Sequence, residues 1–292
     1  QEHHVPQPIP QTQYRNCNSC NEQEKEMIIA WWSAGVTSAV ATKLAIDQYG
    51  IDNVMPIYFA IDSVHPDNTR FIKECEDWYG KKIAVERAPP KYKDQFDVIK
   101  KDKYVNGPGG ARCTLILKKR VRQRLEKELE YEGQVFGFEY SKKEINRAIR
   151  FSEQYPDALP LFPLIKNKMN KKESLFFLEQ RGIKRPSMYD LGYGNNNCIG
   201  CVKGGMGYWN KIRLDFPDTF NRMALLEREI GNSCIRGVFL DELDPNAGHK
   251  LKIIMPDCGN FCDIEFTELL HPRLEEVYTQ PQQLEMMFRS NE

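Results

Sequence analysis

Closely spaced cysteines are the residues of this chain with the clearest capacity for chemistry. Its nine cysteines include three close pairs: Cys17 with Cys20, Cys198 with Cys201, and Cys258 with Cys262. An odd number of cysteines does not suit a fully paired disulfide framework. In an intracellular enzyme of this size, close pairs more often bind metal or carry out redox chemistry. The sequence therefore predicts a thiol-based metal or redox centre.

The pair Cys198 and Cys201 is the strongest metal-binding candidate, because glycines and asparagines surround it. Such a turn directs two thiolates at one ion, and exposed N–H groups stabilise their charge. Two ligands are too few, and Cys113, in a glycine-rich turn, is the best third candidate. A fourth ligand would come from the last cysteine pair or be missing. The alternative is that the Cys198 pair is only structural.

A candidate anion-binding loop, residues 33–38, lies between the first predicted strand and the first predicted helix. We call it the phosphate loop, and its candidate binding residues are Ser33, Gly35, Val36, Thr37 and Ser38. Unpaired N–H groups at the start of a helix favour an anion, and hydroxyl groups add donors. Gly35 can adopt a positive φ and lets a phosphate approach the backbone closely. The alternative is an ordinary turn in which Ser38 only caps the helix.

Predicted strands and helices alternate from residue 27 onwards. This pattern predicts an α/β fold with a mostly parallel, twisted sheet and helices on both of its faces. The predicted strands are 28–32, 54–60, 82–86 and 134–138, and the predicted helices are 38–49, 67–79, 115–131, 170–181 and 219–230. Ligands bind such sheets beyond the carboxyl ends of the strands, beside the point where strand order reverses. Further candidate nucleotide-binding residues after strands are therefore Asp62, His65, Gly137 and Glu139.

Composition restricts domain organisation and partners. Hydrophobic residues make up 41% of the 292 residues, which allows a sizeable core, but residues 1–26 are polar and are expected to form a tail. We expect a nucleotide-binding domain over residues 27–215 and a helical or irregular, cysteine-bearing segment over 216–292.

The 41 basic and 41 acidic residues balance, so nucleic acid could bind only at a local patch. The basic stretches 118–124 and 166–172 are more typical of solvated faces.

No apolar run approaches the length of a membrane span, and no signal-peptide pattern is present. We therefore expect a cytoplasmic protein without a membrane partner, for which a homodimer is one candidate assembly.

Five segments, in the same order along the chain, resemble the phosphoadenosine-phosphosulfate (PAPS) reductase family, within the adenine-nucleotide α-hydrolase (PP-loop) superfamily. The phosphate loop resembles that of the superfamily, and residues 65–71 resemble the family's Phe-Pro-Glu-Thr segment. Residues 112–119 resemble its cysteine–basic segment, and residues 137–147 resemble its Gly…Glu-Ser…Arg element. Residues 188–201 resemble its Leu-Tyr-Asp-x-Gly-Tyr…Gly-Cys-x-x-Cys block, and residues 257–259 faintly resemble its Glu-Cys-Gly tail.

The resemblance implies sulfur chemistry with a bound adenine nucleotide, which would be PAPS, its 3′-dephospho form APS, or ATP. Family members with four cluster cysteines bind a [4Fe–4S] cluster, and Cys113, Cys198 and Cys201 match three of these, with Thr114 at the remaining position. A cluster, or zinc as the alternative, is therefore expected. Thr37 stands where the pyrophosphatase branch carries an acid, which argues against ATP cleavage by this loop.

Three functions agree with these features. In the first, the Cys258 thiolate takes the sulfo group of PAPS or APS, and a thiol reductant then regenerates the thiolate. In this function Arg70, Lys118 and Arg147 hold the phosphates of the nucleotide. In the second, an ATP-dependent sulfurtransferase modifies tRNA or DNA with a three-cysteine [4Fe–4S] cluster and a cysteine desulfurase as partner. In the third, a non-catalytic nucleotide-binding module carries a structural metal. The three cysteines favour the second function, and the missing loop acid favours the first or third.

Overall fold

Five parallel strands form one sheet in the computed structural model, which describes residues 27–106 and 110–248. The strands are β1 (Ile28–Trp32), β2 (Val54–Phe59), β3 (Ala84–Glu86), β4 (Gly133–Val135) and β5 (Pro160–Leu161). Their order is β3-β2-β1-β4-β5, and every neighbouring pair is parallel. The α/β prediction is confirmed, and the strand order reverses between β1 and β4. This reversal is where a crevice for ligands is expected.

Helices cover both faces of the sheet. They are α1 (Val36–Tyr49), α2 (Asn68–Tyr79), α3 (Gln95–Asp102), α4 (Arg112–Thr114), α5 (Arg120–Glu128), α6 (Lys142–Gln154), α7 (Pro163–Lys166), α8 (Lys171–Glu179), α9 (Ser187–Asp190), α10 (Met206–Asp215) and α11 (Pro217–Ile230). A π-helical stretch, Leu115–Lys119, joins α4 to α5. Of the longer helices, the sequence did not predict α3, α6 and α10. None of the helices in the described ranges is long and apolar enough to cross a bilayer.

The two faces of β1 pack against different helices. Ile29 and Trp31 belong to one core with residues of α5 and α6. Ala30 and Trp32 belong to a second core with residues of α1 and α2. Since successive side chains of a strand point to opposite faces, the continuous apolar run of β1 is buried on both sides. This burial fixes β1 at the centre of the sheet and the phosphate loop at the end of it.

A third core joins α3, α9, α10 and α11. It contains Trp209, Phe220 and Leu240, together with Cys201 from the cysteine-bearing loop. Residues on both sides of the domain boundary predicted after residue 215 contribute to this core. The predicted tail, residues 1–26, and the segment 249–292 with Cys258 and Cys262 lie outside the described residues.

Candidate functional site

The phosphate loop lies at the strand-order reversal, between the end of β1 and the start of α1. Ala34 has a φ of 58°, whereas Gly35 has an extended backbone with a φ of −96° and precedes the helix. The positive φ of the turn therefore lies at Ala34, and Gly35 does not use its freedom to adopt one. A Cβ added at Gly35 would meet no atom closer than 3.5 Å. A methyl group at this position would therefore make ordinary contacts with Ser33 and Tyr189.

The Ser38 side chain forms three hydrogen bonds within the phosphate loop. Its Oγ accepts hydrogen bonds from the Ser33 N–H at 3.1 Å and the Ser33 hydroxyl at 3.0 Å, and it donates to the Gly35 carbonyl at 2.9 Å. A hydroxyl has one proton to donate. In this geometry the Ser38 hydroxyl proton is used within the loop, and a direct role of that hydroxyl in holding a phosphate stays a prediction. The Val36 N–H donates to the Tyr189 hydroxyl, so the donors left for an anion are the N–H groups of Thr37 and Ser38 and the hydroxyl of the half-buried Thr37.

The chain after β4 reaches the phosphate loop at Gly137. A Cβ added there would lie 2.7 Å from both the Cα and the backbone N of Ser38, and 3.0 Å from the carbonyl carbon of Thr37. Only glycine allows two backbones to approach this closely. Two residues later, the half-buried Glu139 has a buried carboxylate oxygen, Oε2, with no hydrogen-bond partner among the described residues.

Two residues that sequence reasoning did not single out contact the phosphate loop directly. The Tyr189 hydroxyl lies 3.4 Å from the backbone N of Val36, and burial raises the pKa of Tyr189 to about 12, so that the hydroxyl stays protonated. Asn196 donates from Nδ2 to the Ala34 carbonyl at 2.7 Å and to Oδ1 of Asn68 at 2.8 Å. Both residues lie within residues 188–201, the segment that resembles a sequence block of the PAPS reductase family. This resemblance is the sequence signal that could have identified them.

Arg70 is not free to hold a phosphate. Its guanidinium donates to both carboxylate oxygens of Asp67 at 2.7 and 2.8 Å, to Glu74 at 2.6 Å, and to the carbonyls of Lys184 and Arg185 at 3.0 and 3.1 Å. These bonds use all five of its N–H donors. In this geometry Arg70 has no N–H group left for a phosphate, and its role in phosphate binding stays a prediction.

The Arg70 cluster instead positions α9. Asp67 also accepts the N–H of Ser187, the first residue of α9, at 2.8 Å. The pKa of Asp67 lies well below its usual range, mainly because Arg70 donates hydrogen bonds to its carboxylate. Tyr189 follows Ser187 on the same short helix, so this charged cluster fixes the hydroxyl that meets the phosphate loop.

The remaining strand-end candidates are less closely tied to the loop. Asp62 is exposed and pairs with Arg87 at 2.7 Å. Nδ1 of His65 accepts the N–H of Asp67 at 3.1 Å. Arg147 stacks over the Phe138 ring at 4.5 Å and pairs with Glu144 at 3.3 Å. Their roles in nucleotide binding stay predictions.

Cys113, Cys198 and Cys201 line one shared, partly open cavity, which we call the thiol cavity. The other residues that line it are Ile61, Gln95, Thr114, Leu117, Lys118 and Val202. Lys118, predicted to bind nucleotide, thus lies among the thiols. It belongs to the π-helical stretch, an irregularity often found at functional sites.

Hydrogen bonds and one glycine hold the cysteine-bearing loop in place. The Ile199 N–H donates to the Ser63 carbonyl at 2.8 Å, and Gln95 donates from Nε2 to the Ile199 carbonyl at 2.8 Å. Gly200 has a φ of 76°, and an added Cβ would lie 2.7 Å from the Thr219 side chain. The positions of both thiols are therefore set by β2, α3 and α11 rather than by the loop alone.

The donor set can be tested against the expected metal groups. Among the described residues, no three Cys, His, Asp or Glu side chains lie close enough together to hold a single ion. Three thiols line one largely apolar cavity, and thiolates are ligands for both iron–sulfur clusters and zinc, so the donor chemistry agrees with either group. A fourth ligand is not evident in this part of the chain. The backbone N–H of the neighbouring Cys234 donates to the Glu227 carboxylate, and burial together with this carboxylate raises the pKa of the Cys234 thiol well above its usual value.

Comparison with known proteins finds no matching family model and no matching curated protein. Among solved structures, the chain is similar to a PAPS reductase from Candida auris in complex with phosphate. The sequence identity is 15%, the match covers 58% of this chain and 80% of that reductase, and the TM-score is 0.40. It is also similar to the U34-tRNA thiolase NcsA from Methanococcus maripaludis with its [4Fe–4S] cluster. The sequence identity to this thiolase is 13%. The match covers 79% of this chain and 82% of the thiolase chain, with a TM-score of 0.36.

Proposed function

We propose that this protein is an adenine-nucleotide-dependent sulfurtransferase whose metal centre is held by Cys113, Cys198 and Cys201. One observation carries the proposal: a single loop reaches both candidate sites. Its Asn196 bonds to the phosphate loop, and two residues later Cys198 lines the thiol cavity. An activated substrate at the phosphate loop would therefore lie beside the sulfur-handling thiols.

The chemistry that fits this arrangement has two steps. ATP would transfer its adenylyl group to an oxygen of the acceptor, and pyrophosphate would leave. Because Thr37 stands where the loop would carry an acid, the N–H groups at the start of α1 would stabilise the charge on the phosphates. Hydrosulfide then forms a C–S bond with the acceptor carbon as the C–O bond to AMP breaks, so no net redox change is needed. The phosphate loop and Gly137 would hold the nucleotide. The buried, neutral Tyr189 would donate a hydrogen bond to it.

The three thiols would hold a [4Fe–4S] cluster, which supplies an iron coordination position for sulfur when it is bound. The protein's own contribution there is orientation and charge. The loop is fixed by Ser63 and Gln95, and Lys118 brings a cation to the cavity. That cation favours anionic sulfur or an anionic substrate group.

A lysine-rich surface beside β4 supports nucleic acid as the acceptor. We call it the lysine surface, and it comprises Lys142, Lys143, Lys166, Lys168, Lys171 and Lys172. The Tyr140 N–H donates to the Met169 carbonyl at 2.8 Å, which brings the starts of α6 and α8 together. Lysines at helix N-termini add to the positive end of the helix dipole, so this surface concentrates charge that suits a phosphate backbone.

The second candidate is a PAPS or APS reductase, in which Cys258 accepts the sulfo group. Lys118 in the thiol cavity favours it, since a lysine among thiols could hold a sulfate-like anion. Cys258 lies outside the described residues, and this role remains a sequence prediction.

Metal and nucleotide measurements on anaerobically purified protein test the proposal. We expect iron and acid-labile sulfide in the wild-type protein, their loss in Cys113→Ser, Cys198→Ser and Cys201→Ser, and their retention in the control Cys75→Ala. Cys75 is a fully buried core residue away from this cavity. A panel of ATP, PAPS and APS should show a preference for ATP. Full metal content in Cys198→Ser would refute the ligand set, and selective binding of PAPS would favour the reductase.

Removal of charge from the lysine surface tests the acceptor. We expect the triple variant of Lys142, Lys168 and Lys172 to Gln to bind tRNA or duplex DNA more weakly and to reduce the salt slope by about three. The matched control changes Lys73, Lys82 and Lys103 to Gln, exposed residues on other elements. Equal weakening in both triple variants would show that only net charge matters and would contradict a dedicated surface.

A further inference from the structure

The hydroxyl of Tyr208 contacts the turn that carries two of the three candidate ligand thiols. We call this turn, residues 198–201, the cysteine turn. The Tyr208 hydroxyl accepts the N–H of Cys201 at 2.9 Å and donates to the carbonyl of Cys198 at 3.4 Å. A tyrosine hydroxyl can donate one hydrogen bond and accept another at the same time. A single oxygen atom therefore ties together the backbone of both cysteines.

Packing fixes the ring that carries this hydroxyl. Tyr208 lies in the first turn of α10 and is 1% exposed. Its ring makes edge-to-face contacts with the rings of Tyr193 and Trp209, whose centroids lie 6.0 and 5.7 Å away. Side chains that are packed in this way keep one rotamer, so the hydroxyl stays at the cysteine turn.

Gly204 leaves the space that the ring needs. A Cβ added at Gly204 would lie 2.6 Å from Cε1 and 2.7 Å from Cγ of Tyr208. The Gly204 N–H donates to the Cys201 carbonyl at 2.9 Å, so the chain that leaves the cysteine turn passes close to the ring. Gly204 does not adopt a positive φ, and room for the ring is therefore the reason for a glycine here.

The ring would fill the same space without its hydroxyl. Burial of a hydroxyl costs free energy unless its hydrogen bonds are made, and here backbone groups of two cysteines make them. Thiols that hold a metal must keep their geometry within about 0.5 Å, and neighbouring groups supply that order.

We infer that Tyr208 is a positioning residue for the thiols of Cys198 and Cys201. Its hydroxyl fixes the peptide groups at both ends of the cysteine turn, and thereby the directions in which the two thiols face the thiol cavity. The inference rests on the proposed function, in which these thiols hold the metal centre, and it adds a residue that touches neither metal nor substrate.

Metal retention in Tyr208→Phe tests the inference without any assay of activity. The substitution removes one oxygen atom and keeps the ring. Anaerobically purified protein would be mixed with an excess of chelator, and the release of iron or zinc would be followed over time. We expect Tyr208→Phe to lose its metal about tenfold faster than the wild type, because groups that orient metal ligands typically contribute at least this much to metal affinity.

The matched control is Tyr79→Phe. Tyr79 is also buried, and its hydroxyl donates to the Ala39 carbonyl at 2.7 Å and accepts the indole N–H of Trp32 at 3.1 Å. It belongs to the core between β1 and helices α1 and α2, which does not include the thiols. Loss of these bonds should lower Tm about as much as in Tyr208→Phe and leave metal release unchanged. Equal release rates in the two variants would overturn the inference, since they would reduce Tyr208 to a structural residue.

Gly204→Ala provides a second variant that keeps the hydroxyl. The new methyl group would displace the Tyr208 ring, so metal release should again be faster than in the wild type. A folded Gly204→Ala protein that releases metal at the wild-type rate would contradict the positioning role.

The inference can fail separately from the proposed function. Wild-type protein that contains no metal would refute the metal centre of the proposed function. Alkylation of Cys198 and Cys201 in the metal-free protein, followed by mass spectrometry, would then decide the role of Tyr208. Both thiols should react faster in Tyr208→Phe than in the wild type and in Tyr79→Phe, and equal rates in the three proteins would overturn the inference.

Discussion

Replacing Gly137 with alanine is the sharpest test of how the site is built. The new methyl group would lie 2.7 Å from backbone atoms of Ser38, closer than real Cβ contacts, and ordinary contact begins near 3.4 Å. The obstacle is backbone in the first turn of α1, so it cannot rotate away as a side chain could. The chain after β4 and the phosphate loop must therefore separate by about 0.7 Å, the difference between those two distances, as in other overpacked sites.

The magnitude follows from that displacement. Overpacking of this kind costs typically about 1–3 kcal/mol of unfolding free energy. In a domain of this size the loss corresponds to a fall in Tm of roughly 2–12 °C. A shift of the helix N-terminus by a fraction of an ångström also misplaces every N–H group that would face the phosphates. We therefore expect ATP affinity to fall by about tenfold or more in the fraction that is still folded.

Thermal unfolding and titration with ATP would be measured on Gly137→Ala beside Gly205→Ala. Gly205 has a φ of −82°, and an added Cβ there meets no atom within 4 Å, so this control should change neither quantity by much. A Gly137→Ala variant with unchanged Tm and unchanged ATP affinity would refute the close approach of the chain after β4 to the phosphate loop. Loss of stability with normal ATP affinity would show that the contact is structural and that the nucleotide binds elsewhere.

Two further predictions concern charge and the distant thiol. Asp67→Asn should lower the free energy of unfolding by about 1–2 kcal/mol near neutral pH, because a carboxylate that accepts bonds from Arg70 and Ser187 is lost. The pKa of Asp67 is depressed in the folded state, so its contribution is present above the unfolded pKa and is lost as pH falls through the folded one. The difference between the two proteins in urea unfolding should therefore shrink below about pH 4, and a difference independent of pH would contradict the argument. Under the reductase alternative, Cys258→Ser should abolish sulfur transfer and leave nucleotide binding and metal content unchanged, whereas loss of metal would make Cys258 a ligand.

Local patterns were sufficient for much of the framework. The apolar run of β1 was predicted with its observed bounds, because burial on both faces leaves an uninterrupted hydrophobic stretch. The helix after it was predicted two residues short, since Val36 and Thr37 had been assigned to the turn. α6 was missed although Ser141 and Glu144 carry a capping signature, and the Ser141 side chain does accept the Glu144 N–H. α10 was missed because it follows a run of glycines.

The sequence by itself determined the α/β class, the place of the phosphate loop and the choice of Cys113, Cys198 and Cys201, because each depends on residue types within a short stretch. Only the tertiary structure decided which polar groups remain available for a ligand. Arg70 was predicted to bind phosphate, but two of its acceptors are carbonyls more than a hundred residues away. Glu139 has an unsatisfied oxygen, and Lys118 lies among thiols from a distant loop. A side chain's hydrogen-bond partners are set by elements remote in sequence, so the pattern around a residue indicates its chemistry but not whether that chemistry is already used.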